Sequence, residues 1–257
     1  PVLRSARIEF PALPPGTPAV RLALLSDIHI GNLATPPERL ARVVAAINAA
    51  RPDVVVIAGD SVNGDYPGDP LFEPELLAGP LAQLRAPLGV YAVMGNHDNE
   101  TNPAALRKVL KRSGVTVLAN DAARIGPFVL AGIDDSTSGK SLVDKTMLAA
   151  RALGGIPIVV THSPGIHKWL WKTRAPLVLA GHTHCGQVAL ELGRDDFYPT
   201  ELIFPRKYPK SLRCGIGREG RMLSIVTAGI GTTRAPLRYG ASPDWWLITL
   251  VPVETTM

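Results

Sequence analysis

The chain has 257 residues, 46% of them hydrophobic and 19% charged, with 27 Lys+Arg against 22 Asp+Glu and a pI near 9.4. This composition excludes a disordered chain and leaves enough length for one large α/β core. A net charge of +5 fits an ordinary basic soluble protein or one with an anionic partner, but no Lys/Arg run is long enough to mark a nucleic-acid arm or a polybasic anchor. No apolar stretch is long enough to span a bilayer. Cys185 and Cys214 make no disulfide framework; two free thiols are expected, with one bridge as the alternative, so the redox compartment stays open. The first residue is Pro1, so an N-terminal signal or anchor lost to processing is expected, with a peripheral-membrane or cytoplasmic location.

In chain order, residues 1–18 alternate weakly around Ile8 and Phe10 and then meet four prolines, which predicts an edge strand and a turn-rich connector. Leu22-Ala23-Leu24-Leu25 is a buried strand that stops at Ser26-Asp27-Ile28-His29. A helix follows. Thr35 offers a cap, Pro36 suits the first helical position, and Leu40, Val43, Val44 and Ile47 recur on one face. Val54 to Ala58 is the next strand and ends at Gly59-Asp60. After a loop over 61–70, a poorer helical pattern carries Leu77, Leu81 and Leu84. The third strand, Val90 to Met94, ends at Gly95-Asn96-His97-Asp98, which predicts a tight turn. Asn102-Pro103 caps a helix with Leu106, Val109 and Leu110, and Gly114 ends it.

Short strands separated by turns are expected from Val115 to Ile133, and a helix over 141–153. Ile156 to Val160 is another strand, ending at Thr161-His162, before a short helix containing Trp169 and Trp171. Leu177 to Ala180 is the fifth such strand and ends at Gly181-His182-Thr183-His184. Beyond it, 193–220 reads as a basic, Gly- and Pro-rich excursion, and 222–251 as closing strands. Of Trp245 and Trp246, one is expected in the core and the other exposed. Early alternation of strand and helix, then strands alone, predicts one α/β domain over 1–257: a four-layer α-β-β-α sandwich with two mixed sheets inside, its core motifs over 22–190.

Five strands thus end in Asp27/His29, Asp60, Asn96/His97/Asp98, His162 and His182/His184. Ligands in open α/β folds bind beyond the carboxyl ends of the strands, so one side of the molecule would gather these groups. Five of the six histidines lie in these segments; only His167, read as a solvated helix residue, does not. Mixed imidazole, carboxylate and amide donors suit Mn, Fe, Zn or Co better than Ca or Mg.

The series Asp27-x-His29, Gly59-Asp60, Gly95-Asn96-His97-Asp98, Thr161-His162 and Gly181-His182-Thr183-His184 resembles the calcineurin-like metallophosphoesterase superfamily. The tail, through Gly186-Gln187, Gly229-Ile230-Gly231-Thr232 and Pro236-Leu237-Arg238, resembles a bacterial branch of membrane-associated phosphodiesterases related to UDP-2,3-diacylglucosamine pyrophosphohydrolases. Cys185 departs from the glycine expected there and would narrow the floor of the site.

The resemblance implies two divalent transition-metal ions, manganese first, sharing a carboxylate. Asp27, His29, Asp60 and His184 would hold one; Asp60, Asn96, His162 and His182 the other. A water acidified between them would attack a phosphodiester or pyrophosphate. His97, beside a ligand but not one, would stabilise charge or protonate the leaving alkoxide, with Asp98 fixing its tautomer. Arg234 or Arg238 would clamp a substrate phosphate. The expected partner is a phosphate ester, lipid- or nucleotide-linked; Trp169, Trp171 and the basic stretch 206–213 are read as ordinary packing and a solvated loop, with peripheral contact to a membrane surface or an acyl chain as the alternative. No nucleic-acid partner is expected. The alternatives are a nuclease or a phosphomonoesterase on the same core, and last a non-catalytic scaffold.

Overall fold

A computed structural model describes residues 1–64, 73–192, 195–197, 212–233 and 235–254. Two six-stranded mixed sheets form its centre. The first runs β1 (Val2–Phe10), β14 (Asp244–Pro252), β2 (Val20–Leu25), β3 (Val54–Ala58), β4 (Val90–Val93), β5 (Val115–Val117). Strands β2 to β5 are parallel, β14 is antiparallel to β2, and β1 is the edge strand the alternation predicted. The second sheet runs β12 (Gly215–Glu219), β13 (Met222–Val226), β9 (Leu177–Ala180), β8 (Ile156–Thr161), β7 (Phe128–Ile133), β6 (Asp121–Ile125), with β13, β9, β8 and β7 parallel. A short hairpin, β10 (Leu190–Leu192) with β11 (Asp195–Phe197), stands apart.

The parallel strands read as unbroken apolar runs because both of their faces are covered. Leu22 and Leu24 point between the sheets, where they join Val56, Phe128, Leu130, Ile158, Leu179 and Trp246 in one core. Their neighbours Ala23 and Leu25 point outward, under Leu40, Val43 and Ile47 of α1 (Pro37–Ala49) and Leu106 and Val109 of α4 (Pro103–Arg112). A third core lies on the far face of the second sheet, where Val129, Val159 and Val178 meet Met147 and Ala150 of α5 (Val143–Leu153) and Leu170 of α6 (His167–Thr173). Helix, sheet, sheet, helix is the predicted layering. The short α2 (Ala78–Leu81), which contains Pro80, continues a 3-10 turn that opens at Pro74.

Three local expectations shift. Pro37, not Pro36, is the first helical residue of α1, and Thr35 is buried without capping it. The predicted turn at Asn96 is a five-residue helix, α3 (Asn96–Glu100). Trp245 and Trp246 are both buried, because one side chain fills the core between the sheets and the other the core beneath the first helix layer. Asn102 does cap α4, accepting from Ala105 N.

Candidate metal centre

Every parallel strand that carries a motif ends shortly before its first motif side chain, Asp27, Asp60, Asn96, His162 or His182, and all of these ends lie on one side. The ladder continues past the strand ends: Asp27 N donates to Gly59 O at 3.0 Å, His29 N to Asp60 O at 3.1 Å, and Gly181 N to His162 O at 3.0 Å. Asp27, His29, Asp60, His182 and His184 all have φ between 46° and 68°. That left-handed backbone costs a non-glycine residue of order 1–3 kcal/mol and persists where its surroundings enforce it. Here it bends each chain so that the side chain returns over the sheet ends.

The side chains converge. His29 Nε2 lies 3.7 Å from Asp60 Oδ2 and 3.1 Å from His184 Nε2, and His184 Nε2 lies 3.4 Å from Asp27 Oδ1. On the other side of Asp60, His162 Nε2 is 3.0 Å from Oδ2 and 3.2 Å from His182 Nδ1. Asp27, His29 and His184 are grouped closely enough to hold one ion, and Asp60, His162 and His182 to hold another. His29, Asp60 and His97 form a third such group, with His97 Nε2 4.0 Å from Asp60 Oδ2. Asn96 Oδ1 is buried without a hydrogen-bond partner. Leaving an amide oxygen so would cost about 1–3 kcal/mol, which coordination of a cation would relieve. The mixed nitrogen and oxygen set, its converging ring nitrogens and this orphaned oxygen fit divalent metal ions.

Burial disfavours charge on Asp27, His29, Asp60, His162 and His184, and the outcome depends on neighbours. For His162, burial is outweighed by Asp60, with Asp27 and Asp135 behind it, and the imidazole is pushed up to about 10. Asp60 is held well below the usual carboxylate range, since His162, His29 and His97 overcome its desolvation. Asp27 goes up to about 6, through burial and the Asp60 charge, despite His162 and bonds from Ser26 Oγ and His182 N. His29 falls to about 3 and His184 falls too, both first through burial and then through like charges around them. A divalent cation in this space would replace the proton shared by His162 and Asp60 and hold the carboxylates ionised.

Asp98 does not orient His97. Its Oδ1 accepts from Ser61 N and Val62 N, at 2.8 and 3.1 Å, and its Oδ2 from Gly95 N at 3.0 Å. It staples two strand-end loops together, as an acid in the first turn of a helix reaching back to the backbone does. Burial, then the Asp60 charge, pushes it up to about 7. His97 is instead placed by its own amide, which donates to Asp60 Oδ1, and by edge-to-face contact with the His29 ring at 5.0 Å.

Arg238 is not placed as a phosphate clamp. A guanidinium has five N–H groups. Nε donates to Gly231 O, Nη1 to His184 O and Ala241 O, and Nη2 to Ala228 O and Gly231 O, which accounts for all of them. His184 Nδ1 lies 3.1 Å from Nη2, so the side chain backs the ligand rather than facing the cleft. Arg234, His167's side chain and the stretch 206–211 fall outside the described residues. The two thiols expected free are a disulfide, Cys185–Cys214, whose Cα atoms are 4.9 Å apart.

Several contributors were invisible in sequence. Gly95 has an ordinary extended φ of −100°, so turning is not its purpose; a Cβ there would run into Asp60. A Cβ on Gly64 would overlap the His97 ring, and one on Gly181 would overlap Ser26 and Asp27. For Gly95 and Gly181, glycine just past a strand end was the available signal, and it does not say what comes close.

A profile of the family described as calcineurin-like phosphoesterase matches residues 20–186. An "uncharacterized metallophosphoesterase" of Aquifex aeolicus is 32% identical over 95% of this chain and 89% of its own length. A second protein so described, from Bacillus subtilis, is 30% identical over 95% and 83%. A "transmembrane protein with metallophosphoesterase domain" of Danio rerio is 30% identical over 92% of this chain, which spans only about half, 55%, of that relative. In fold, the chain is similar to an NAD nucleotidase of Haemophilus influenzae, with TM-score 0.51 and 14% identity over 82% of this chain and 51% of that one.

Proposed function

We infer the function from one premise: the chain belongs to the calcineurin-like phosphoesterase family. The proposed activity is hydrolysis of a phosphodiester or pyrophosphate at a dinuclear centre. Asp27, His29, Asp60 and His184 would hold one ion; Asp60, Asn96, His162 and His182 the other. The observation that carries this reading is Asp60, whose Oδ2 stands 3.0 Å from His162 Nε2 and 3.7 Å from His29 Nε2, between the two ligand groups. Bound divalent transition metals, manganese first, would supply Lewis-acid charge and a water acidified toward neutral pH.

The chain's own residues bind, orient and exclude water. His29, Asp60 and His162 are almost wholly buried, while His182 is half-buried and marks the open side of the centre. His97 stands beside the ligands with its ring against His29 and is the group proposed to meet the phosphoryl oxygens and give a proton to the leaving oxygen. Asp98 and Arg238 act as positioning residues. Arg234 is the arginine proposed to meet phosphate. A lipid-linked substrate is the finer reading, supported by Trp169 and Trp171, which stand 58% and 60% exposed on α6. Aromatic residues so placed suit a headgroup surface.

The test is hydrolysis of bis(4-nitrophenyl) phosphate and of 4-nitrophenyl phosphate by chelator-stripped protein, before and after Mn²⁺ is restored. Activity is expected only with metal, and faster on the diester. Metal-independent hydrolysis, or none on either compound and none on a lipid phosphodiester, overturns the reading.

A further inference from the structure

His182 and His184 sit in a backbone turn that is costly to hold. His182, His184, Cys185 and Gln187 all have left-handed φ, from 49° to 68°, and Gly186 has φ 78°. After Ala180 the strand ends, and the turn keeps bonds of its own, Gly186 N to Thr183 O and Gln187 N to His184 O, with His182 N on the Asp27 carboxylate. Two further restraints come from outside it. Cys185 is bonded to Cys214, and Thr183 Oγ1 donates to Arg213 O at 2.5 Å. Residues 213 and 214 lead directly into β12, which is paired with β13 through five residue pairs, so the turn is tethered to the sheet. The bridge itself is packed against Ala228 and Ala241, with Cys185 only 4% exposed and Cys214 half-buried.

This one turn serves both ligand groups. His184 stands with Asp27 and His29, and His182 with Asp60 and His162. Loosening it would remove one donor from each. We propose that the Cys185–Cys214 disulfide is a positioning element of the metal centre: the oxidised chain holds its divalent ions tightly, and reduction of the bridge releases them. The inference rests on the dinuclear reading above. A phosphine reductant balances the step: the S–S bond takes two electrons and two protons to give two thiols, and the phosphine takes the oxygen of one water to become its oxide. The metal-binding form would then be the one an oxidising compartment produces.

Mn²⁺ is titrated into air-oxidised apoprotein, into the same protein reduced by a phosphine that is then removed without oxygen, and into the Cys185→Ser/Cys214→Ser chain. Peptide mapping without reductant verifies the bridge, and far-UV circular dichroism verifies that each sample is folded. The Mn²⁺ dissociation constant is expected to rise about 10–100-fold on reduction, as it does when groups that orient metal ligands are lost. Reoxidation should restore it, and the double-serine chain should bind weakly whatever the redox state. A control, Val109→Ala in the core beneath α4, should lower Tm without moving the dissociation constant, which separates positioning from general stability. Equal affinity of the oxidised and reduced chains, or two free thiols in the oxidised sample, overturns the proposal and leaves the dinuclear reading standing. Failure of the oxidised chain to bind Mn²⁺, or Zn²⁺ in its place, removes both.

Discussion

The two sheets deliver their ligands differently. On the first, the loops after β2 and β3 frame each other through main chain: Asp27 N on Gly59 O, His29 N on Asp60 O, Ile30 N on Ser61 O. Side chains then tie in the loop after β4: Asp98 catches the amides of Ser61, Val62 and Gly95, Asp60 catches that of His97, and Asn99 Nδ2 and Thr101 Oγ1 donate to the carbonyls of Gly95 and His97. On the second sheet, the turn after β9 is held by side chains and a covalent bond: the Cys185 bridge, the Thr183 hydroxyl, the Arg238 guanidinium and Gln187, whose amide bonds to Thr233 and Ala235. A backbone frame is repeated from strand to strand and tolerates substitution outside it. A side-chain frame can be removed one piece at a time.

The most damaging way to break the comparison is at the residue common to both groups. Asp60→Asn keeps the volume and the amide contacts of the first frame but removes the charge that stands between His29 and His162. Both ions should be lost, with kcat/KM down by more than about a thousandfold, as expected when one member of a unit is removed. Metal analysis of the purified chain checks it. Retention of one ion would show that the two groups bind independently and that Asp60 belongs to one of them.

His97 tests the first frame alone. Because its amide, not its ring, is bonded to Asp60, His97→Gln should leave the loop and both ions in place. Turnover should fall about 10²–10⁴-fold, the range of a lost general acid, and the fall should shrink for a diester with a more acidic leaving alcohol. Loss of metal would place His97 among the ligands, as its proximity to Asp60 and His29 also allows.

Much of the first frame was legible in the sequence and little of the second. An apolar run that is broken by Asp, Asn or His marks the carboxyl end of a parallel strand, so Asp27, His29, Asp60, Asn96, His162, His182 and His184 could all be placed on one side before the fold was known. What each does locally was harder. Asp98 sits where an acid reaches back to the start of a helix, but Gly95 offers no capping side chain and α3 is short enough to read as a turn. The bridge was hidden because two cysteines 29 residues apart carry no spacing signature. Arg238 was hidden because its acceptors, on residues 184, 228, 231 and 241, are brought together only by the finished fold.

Arg238 also gives the finest test of the second frame. Its five N–H groups are spent on carbonyls of the turn after β9 and of the chain beyond β13, and burial, opposed by Asp27 and Asp244, brings its pKa only down to about 10, so it remains a cation behind His184. Arg238→Lys keeps that charge but offers a compact ammonium with three donors in place of the planar fork. His184 should lose its backing while His182, tied through Thr183 and the bridge, keeps its own. Affinity should therefore fall about 10–100-fold for the ion grouped with Asp27 and His29 and stay near wild type for the ion grouped with Asp60 and His162. With metal in excess, KM for a diester should not move. A raised KM at full metal content would put Arg238 on the substrate. A loss shared equally by both ions would mean that the turn moves as one body, whichever of its side-chain restraints is removed.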